Sequence, residues 1–139
     1  MRRGGDGVQV GTRFELLTDR VTTHQLVRYA GASDDYNRIH YDLPYAQEAG
    51  LGGVIAHGML TMAFTARAVT DWAGPRGVVQ RIAARFTAPV RPGDAVHIVG
   101  EVTGSTRIDD HLRVDCRLSA DVDGRPVLAG EATALLEMD

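Results

Sequence analysis

Residues 57–74 read HGMLTMAFTARAVTDWAG, and this stretch decides the fold. Met59, Leu60, Met62, Ala63, Phe64, Ala66, Ala68, Val69 and Trp72 cover most of a helix circumference, and Gly74-Pro75 stops the helix. A helix apolar nearly all round is a buried one. Burying it on most sides requires something to wrap it.

The C-terminal half supplies the wrapper. Residues 78–86, 94–103, 111–122 and 126–137 read as strands. The third alternates strictly, with Leu112, Val114, Cys116, Leu118, Ala120 and Val122 on one face and Arg113, Asp115, Arg117, Ser119 and Asp121 on the other. One face is therefore buried and one wet. Asp123-Gly124 is a two-residue hairpin signal between the last two strands, and Pro92-Gly93-Asp94 marks another turn. Cys116, on the apolar face, reads as a small buried hydrophobe. The expected architecture is α+β, an antiparallel sheet curled around one long central helix.

A chain of 139 residues has room for one such domain. We assign it to residues 11–139, with residues 1–10, which include Gly4, Gly5 and Gly7, as a flexible lead-in. The formal charge of -3 and the absence of any Lys/Arg run imply neither nucleic acid nor an anionic membrane as partner. With one cysteine, no secretory leader and no apolar run long enough to span a bilayer, the chain reads as soluble and cytoplasmic.

Upstream of the helix, residues 11–17 fit a first strand. Thr22 followed by Gln25 fits a capping box opening a helix that ends near Gly31. His24 and Arg28 fall on its solvated side. Residues 32–41, ASDDYNRIHY, form a loop by composition. Asp35 and His40 would lie on different faces of a helix, but a folded-back loop brings a carboxylate and an imidazole into one small volume, able to give and take a proton near neutral pH. Asn37 between them holds the loop through side-chain to backbone bonds. Residues 42–50 read as a short helix capped by Asp42, with Pro44 in its first turn and Gly50 as its stop. Asp35, His40 and His57 are metal-ligand types, yet no close-spaced ligand motif accompanies them, and we assign neither metal nor cofactor.

Asp-x4-His alone is a weak signal, but it does not stand alone. Asp35, Asn37, His40 and Asp42, then Ala46 and Gly50, then Ile55-Ala56-His57-Gly58-Met59-Leu60, occur in order. They are followed by Arg85-Phe86-Thr87-Ala88-Pro89-Val90 and Pro92-Gly93-Asp94. Together they resemble the signature of the MaoC-like (R)-specific enoyl thioester hydratases, a hotdog-fold family, and are similar to the catalytic dehydratase subunits of actinobacterial fatty-acid elongation. Two positions depart from the family pattern: Asp34 stands where Gly is usual, and Arg38 where Pro is usual, placed to relax the loop or to neutralise Asp34.

The resemblance implies that Asp35 and His40 hold a water as acid/base pair in the hydration of trans-2-enoyl, or dehydration of (R)-3-hydroxyacyl, thioesters of CoA or acyl carrier protein. The N-terminus of the buried helix offers donors to a developing enolate oxygen, and the Gly58 N–H is the candidate oxyanion donor. His57 orients the turn or lines the pocket. Met59 and Met62 are candidates to touch the acyl chain. Arg85, with Arg67 and Arg91, is a candidate to meet phosphate at the tunnel mouth. Hotdog domains pair into dimers, here a homodimer or a heterodimer with a related subunit. Two other readings stand beside this one. A hotdog thioesterase would leave His40 without its matched partner, and a non-catalytic acyl-binding subunit would be expected to have lost the acid/base pair.

Overall fold

The alternation over 111–122 builds the middle of the sheet. The computed structural model describes residues 7–138. In it β4 (His111–Val122) buries Leu112, Val114, Cys116, Leu118, Ala120 and Val122 and exposes Arg113, Asp115, Arg117 and Ser119. Each Val or Leu of that face contributes about 1.5–3 kcal/mol by leaving water. Burial, followed by the neighbouring Asp115 charge, pushes the Cys116 thiol up to about 11.

β4 pairs antiparallel with β3 (His97–Ile108) on one side and β5 (Arg125–Glu137) on the other. β1 (Arg13–Leu17) and β2 (Val78–Phe86) complete the order β1-β3-β4-β5-β2. Asp123 and Gly124 join β4 to β5 with φ of 49° and 83°, the paired positive values of a type I′ turn.

β3 differs from the expected 94–103. Residues before His97 bond elsewhere: the Val96 N–H donates to Thr18 Oγ1 (2.9 Å) and Asp94 Oδ2 accepts from the Arg91 N–H (2.9 Å). At its other end the strand runs on to Ile108, because a register shift between Val102 and Gly104 breaks the alternation that would have announced it.

α3 (Gly58–Ala73) lies in the concave side of this sheet with Leu60, Ala68, Val69 and Ala73 buried. The sheet does not reach all round it. Met59, Ala63, Arg67 and Thr70 form a stripe that stays exposed in the single chain, which corrects the expectation of burial on most sides. Thr61 and Thr65 are buried instead, with the Thr65 hydroxyl bonded back to the Thr61 carbonyl at 2.9 Å. At the C-terminal end of α3 the Trp72 ring stacks on Phe14 from β1, centroids 4.4 Å apart. Phe14 lies directly on Gly100 of β3, where a Cβ would collide with the ring.

Residues 1–6 of the expected flexible lead-in lie outside the described residues. Val8 already packs against the core, and Gly11 and Thr12 bond to Val102, so contacts begin upstream of β1.

Candidate active site

The polar loop is built from its own short side chains. α1 (Thr23–Ser33), capped by Thr22 as expected, runs two residues past Gly31. It ends where Asp34 takes a left-handed conformation, φ 58°. That geometry suits glycine, which explains the residue usual there in the resemblance. Asp35 Oδ1 then accepts from the Asn37 N–H (3.2 Å), and Asn37 Oδ1 from the Ile39 N–H (3.3 Å). The second of these opens a 3-10 turn, Arg38–His40, within the expected loop. Arg38 does not neutralise Asp34. Its Nε and Nη2 both donate to Asp42 Oδ2, at 3.0 and 2.7 Å, with its guanidinium over the Tyr45 ring. The bond to Arg38, then the Tyr45 N–H, hold the Asp42 carboxyl below its usual range. Asp42 caps α2 (Leu43–Glu48).

The loop delivers His40 into the protein, 7% exposed, and leaves the Asp35 side chain 52% exposed at its mouth. The His40 Nδ1–H donates to the Ile55 carbonyl (2.8 Å). A carbonyl only accepts, so this bond fixes the tautomer of the neutral ring and leaves the Nε2 lone pair free. Nε2 lies 3.9 Å from Asp35 Oδ2.

His57, 1% exposed, stacks on His40 with centroids 3.7 Å apart and planes 20° from parallel. The Tyr29 ring meets its edge at 4.8 Å. His57 Nε2–H donates to the Asp35 backbone carbonyl at 3.2 Å, while its Nδ1 is buried without a hydrogen-bond partner among the described residues. Burial, offset in part by the Asp35 carbonyl, holds His57 below the usual histidine range.

Asp35, His40 and His57 bring three metal-ligand atoms within 4.8 Å of one another. Ring lone pairs lie in the ring plane, and two nearly parallel stacked planes aim theirs along separate lines rather than at one ion. The arrangement suits proton transfer better than chelation.

α3 begins beside this pair. The Leu60 N–H donates to the His57 carbonyl (3.0 Å), whereas Gly58 and Met59, at the first two positions of the helix, have no carbonyl a turn behind them. Gly58 borders a cleft of about 340 Å³ lined by Ile55, Ala56, Thr61, Phe86 and Val90. The Phe86 ring lies so near that a Cβ on Gly58 would stand 3.2 Å from it. Met59 is exposed next to Gly58, and Met62 is half-buried one turn on.

Arg85 is not brought to the pair. Neighbours on a strand point to opposite faces, so with Phe86 turned to Gly58, Arg85 lines a separate trough on the other face of the sheet with Arg13 and Arg117. Arg67 pairs with Asp71 (3.4 Å), and Arg91 reaches the Gly53 carbonyl at 3.5 Å. Two residues of the site escape sequence reasoning. Ile55 acts through a backbone carbonyl, which no side-chain pattern reports. Phe86, like Ile55, enters the sequence reading only by its place in a matching block.

A profile of the MaoC like domain family matches residues 7–123. The (R)-specific enoyl-CoA hydratase of Rhodospirillum rubrum is 33% identical over 121 residues, covering 86% of this chain and 83% of that protein. The 3-hydroxybutyryl-CoA dehydratase of Methylorubrum extorquens is 31% identical over 119 residues, covering 85% of this chain and 74% of its own length. Among solved structures, the unliganded R-hydratase PhaJ1 of Pseudomonas aeruginosa superposes with a TM-score of 0.85 at 28% identity, covering 99% of this chain and 87% of the other. No helix among the described residues is long and apolar enough to cross a membrane.

Proposed function

The chain belongs to the MaoC-like domain family and has the hotdog fold of its hydratases, and from that premise we propose that it is a hydro-lyase, adding water to trans-2-enoyl thioesters and removing it from (R)-3-hydroxyacyl thioesters. The thioester is carried on coenzyme A or on acyl carrier protein. One observation carries the reading: the 3.9 Å between Asp35 Oδ2 and His40 Nε2. That distance is too long for a direct hydrogen bond and suits one water held by both groups.

Hydration then proceeds as follows. The pair takes one proton from the held water as its oxygen bonds to C3 of the enoyl thioester. The C2–C3 π electrons shift toward the thioester carbonyl, whose oxygen becomes an enolate. The Gly58 N–H, at the positive end of α3, donates to that oxygen; losing such a donor typically costs about 3–4 kcal/mol of transition-state stabilisation. The proton taken from water is returned to C2, so H and OH have been added and the pair is restored. Dehydration is the reverse. The apolar cleft beside Gly58, walled by Ile55, Phe86 and Val90, supports an acyl thioester as occupant; Met59 and Met62, the candidates to touch the acyl chain, are not among its lining residues.

The reading includes a dimer, with a second copy or a related subunit. Its support is β2, an edge strand of nine residues with a sheet neighbour only on the β5 side, and with Val78 and Phe86 exposed.

The test is loss of enoyl absorbance on mixing with crotonyl-CoA, beside Asp35→Asn and His40→Ala, with the product examined for the (R)-3-hydroxy form and for free thiol. Hydration by the wild type with at least about 100-fold loss in both variants is expected. Equal rates in all three would sink the assignment, and free thiol without hydration would make the chain a thioesterase.

A further inference from the structure

His57 is the one buried titratable group at the site that this mechanism does not use, and its surroundings are unusual for a packing residue. It stands at the N-cap of α3 yet makes no capping hydrogen bond. Its Nδ1 is buried without a partner among the described residues, a cost that an apolar side chain of similar size would not incur. What the imidazole supplies is a flat face 3.7 Å from His40 and an Nε2–H on the Asp35 carbonyl. One ring thus touches both members of the pair, reaching Asp35 from across the chain.

We propose that His57 is a positioning residue of the reaction: its Nε2–H pins the Asp35 backbone while its face holds the His40 ring, so that carboxylate and Nε2 stay at the spacing one water requires. The Asp35 side chain is half exposed and, among the described residues, has no other anchor from the body of the protein: its Oδ1 accepts from the Asn37 N–H, while the Asp35 N–H donates to Ser33 Oγ at the end of α1. The role also requires His57 to stay neutral, because two stacked imidazolium rings would repel. Burial favours that state.

The inference rests on the Asp35/His40 reading, and its test separates the two. His57→Phe keeps a flat face and loses the donor; His57→Gln loses the face and keeps an N–H near the Nε2 position. With crotonyl-CoA we expect His57→Phe to lose roughly 10- to 100-fold in kcat, the effect of a small misplacement, with KM nearly unchanged. His57→Gln recovers a clear part of that loss. Both variants turning over like the wild type, or both losing kcat alike, would overturn the proposal. Asp35→Asn is run alongside: wild-type turnover there removes the acid/base reading itself, whereas loss in Asp35→Asn with full turnover in His57→Phe removes only the role of His57. A second readout needs no substrate. Long-range nitrogen–proton spectra of the imidazoles in the wild-type protein should show His57 protonated at Nε2 and His40 at Nδ1. His57 protonated at Nδ1 overturns the proposal even if crotonyl-CoA is not turned over.

Discussion

His40 Nδ1 lies 2.8 Å from the carbonyl oxygen of Ile55, and this bond, beside that of the Ile55 N–H to the Ile39 carbonyl (3.1 Å), joins the polar loop to the segment that leads into α3. It serves the fold by satisfying a carbonyl and the chemistry by turning Nε2 toward Asp35. The two roles separate by substitution. In His40→Asn the amide N–H takes the place of Nδ1–H and nothing replaces Nε2; in His40→Ala both are gone. Both variants should lose at least about 100-fold in hydration rate. His40→Ala should also lose about 1–3 kcal/mol of stability, the cost of a buried group left unpaired, while His40→Asn loses less. Urea midpoints beside the rates check this, and equal destabilisation of the two would show that the Ile55 bond does not matter to the fold.

Gly58 meets the ring of Phe86 where a Cβ would be 3.2 Å away. Alanine keeps the backbone N–H, so Gly58→Ala tests the space and not the donor. Stability should hold, because alanine favours the helix by roughly 0.5–1 kcal/mol, against a tight but yielding contact with one side chain. Turnover should fall by about tenfold or more as the Phe86 ring is pushed into the cleft, since small misplacements at a reacting centre are costly. Adding Phe86→Leu should restore much of it. A Gly58→Ala enzyme with wild-type kcat/KM would mean that the cleft beside Gly58 is not where the thioester lies.

The parts of this structure legible in the sequence are those set by local chemistry. The alternation from Leu112 to Val122, the Asp123-Gly124 turn and the caps at Thr22 and Asp42 each follow from neighbours in the chain, and each formed. The encounter of His40 with His57 could not be read that way, because the loop and the start of α3 are joined by bonds to backbone carbonyls, those of Ile55, Ile39 and Asp35, which no side-chain pattern reports. β3 departs from its sequence pattern at both ends: a bulge hides its second half, and Thr18 takes the Val96 N–H before it starts. The open stripe along Met59, Ala63 and Arg67 was missed because composition reports how apolar a helix is, not how far a sheet curls around it.

Asp34 shows how a departure from a family pattern becomes a measurable strain. At φ 58° it holds a conformation that costs an L-residue energy, less for Asp than for most and nothing for Gly. Its side chain faces solvent. Asp34→Gly should therefore raise stability by roughly 0.5 kcal/mol, the relief of strain exceeding the added freedom of the unfolded chain. Thermal unfolding of the two proteins at one pH checks the sign, and hydration rates alongside should stay near wild type. A loss of stability would show that the Asp34 carboxylate supports the loop in a way its exposure does not suggest.

His97 sits between two carboxylates, with Nε2 2.9 Å from Glu15 Oε2 and Nδ1 3.0 Å from Asp121 Oδ1. A neutral imidazole has one N–H, so only the protonated ring bonds to both. The bond to Glu15, and then that to Asp121, accordingly raise its pKa above the usual histidine range against the opposing effect of burial. The three residues come from β1, β3 and β4, and Asp121 Oδ2 also accepts from the Gly124 N–H at 2.8 Å. The charged ring thus ties an edge strand to the sheet centre and to the hairpin that follows β4. Because the folded pKa lies above the unfolded one, this stabilisation is present in full below about pH 6.5 and is lost as pH rises through the folded value. The side chain is 36% exposed, so solvent screening keeps the contribution to about 1 kcal/mol or less. Urea unfolding from about pH 5.5 to about pH 9 should show wild-type stability declining across the upper part of that window relative to His97→Gln, whose curve lacks this step. The difference between the two proteins is the quantity to follow, because the other titrating groups cancel in it. A difference that stays constant, or that grows with rising pH, would mean that His97 is not charged between its two acids.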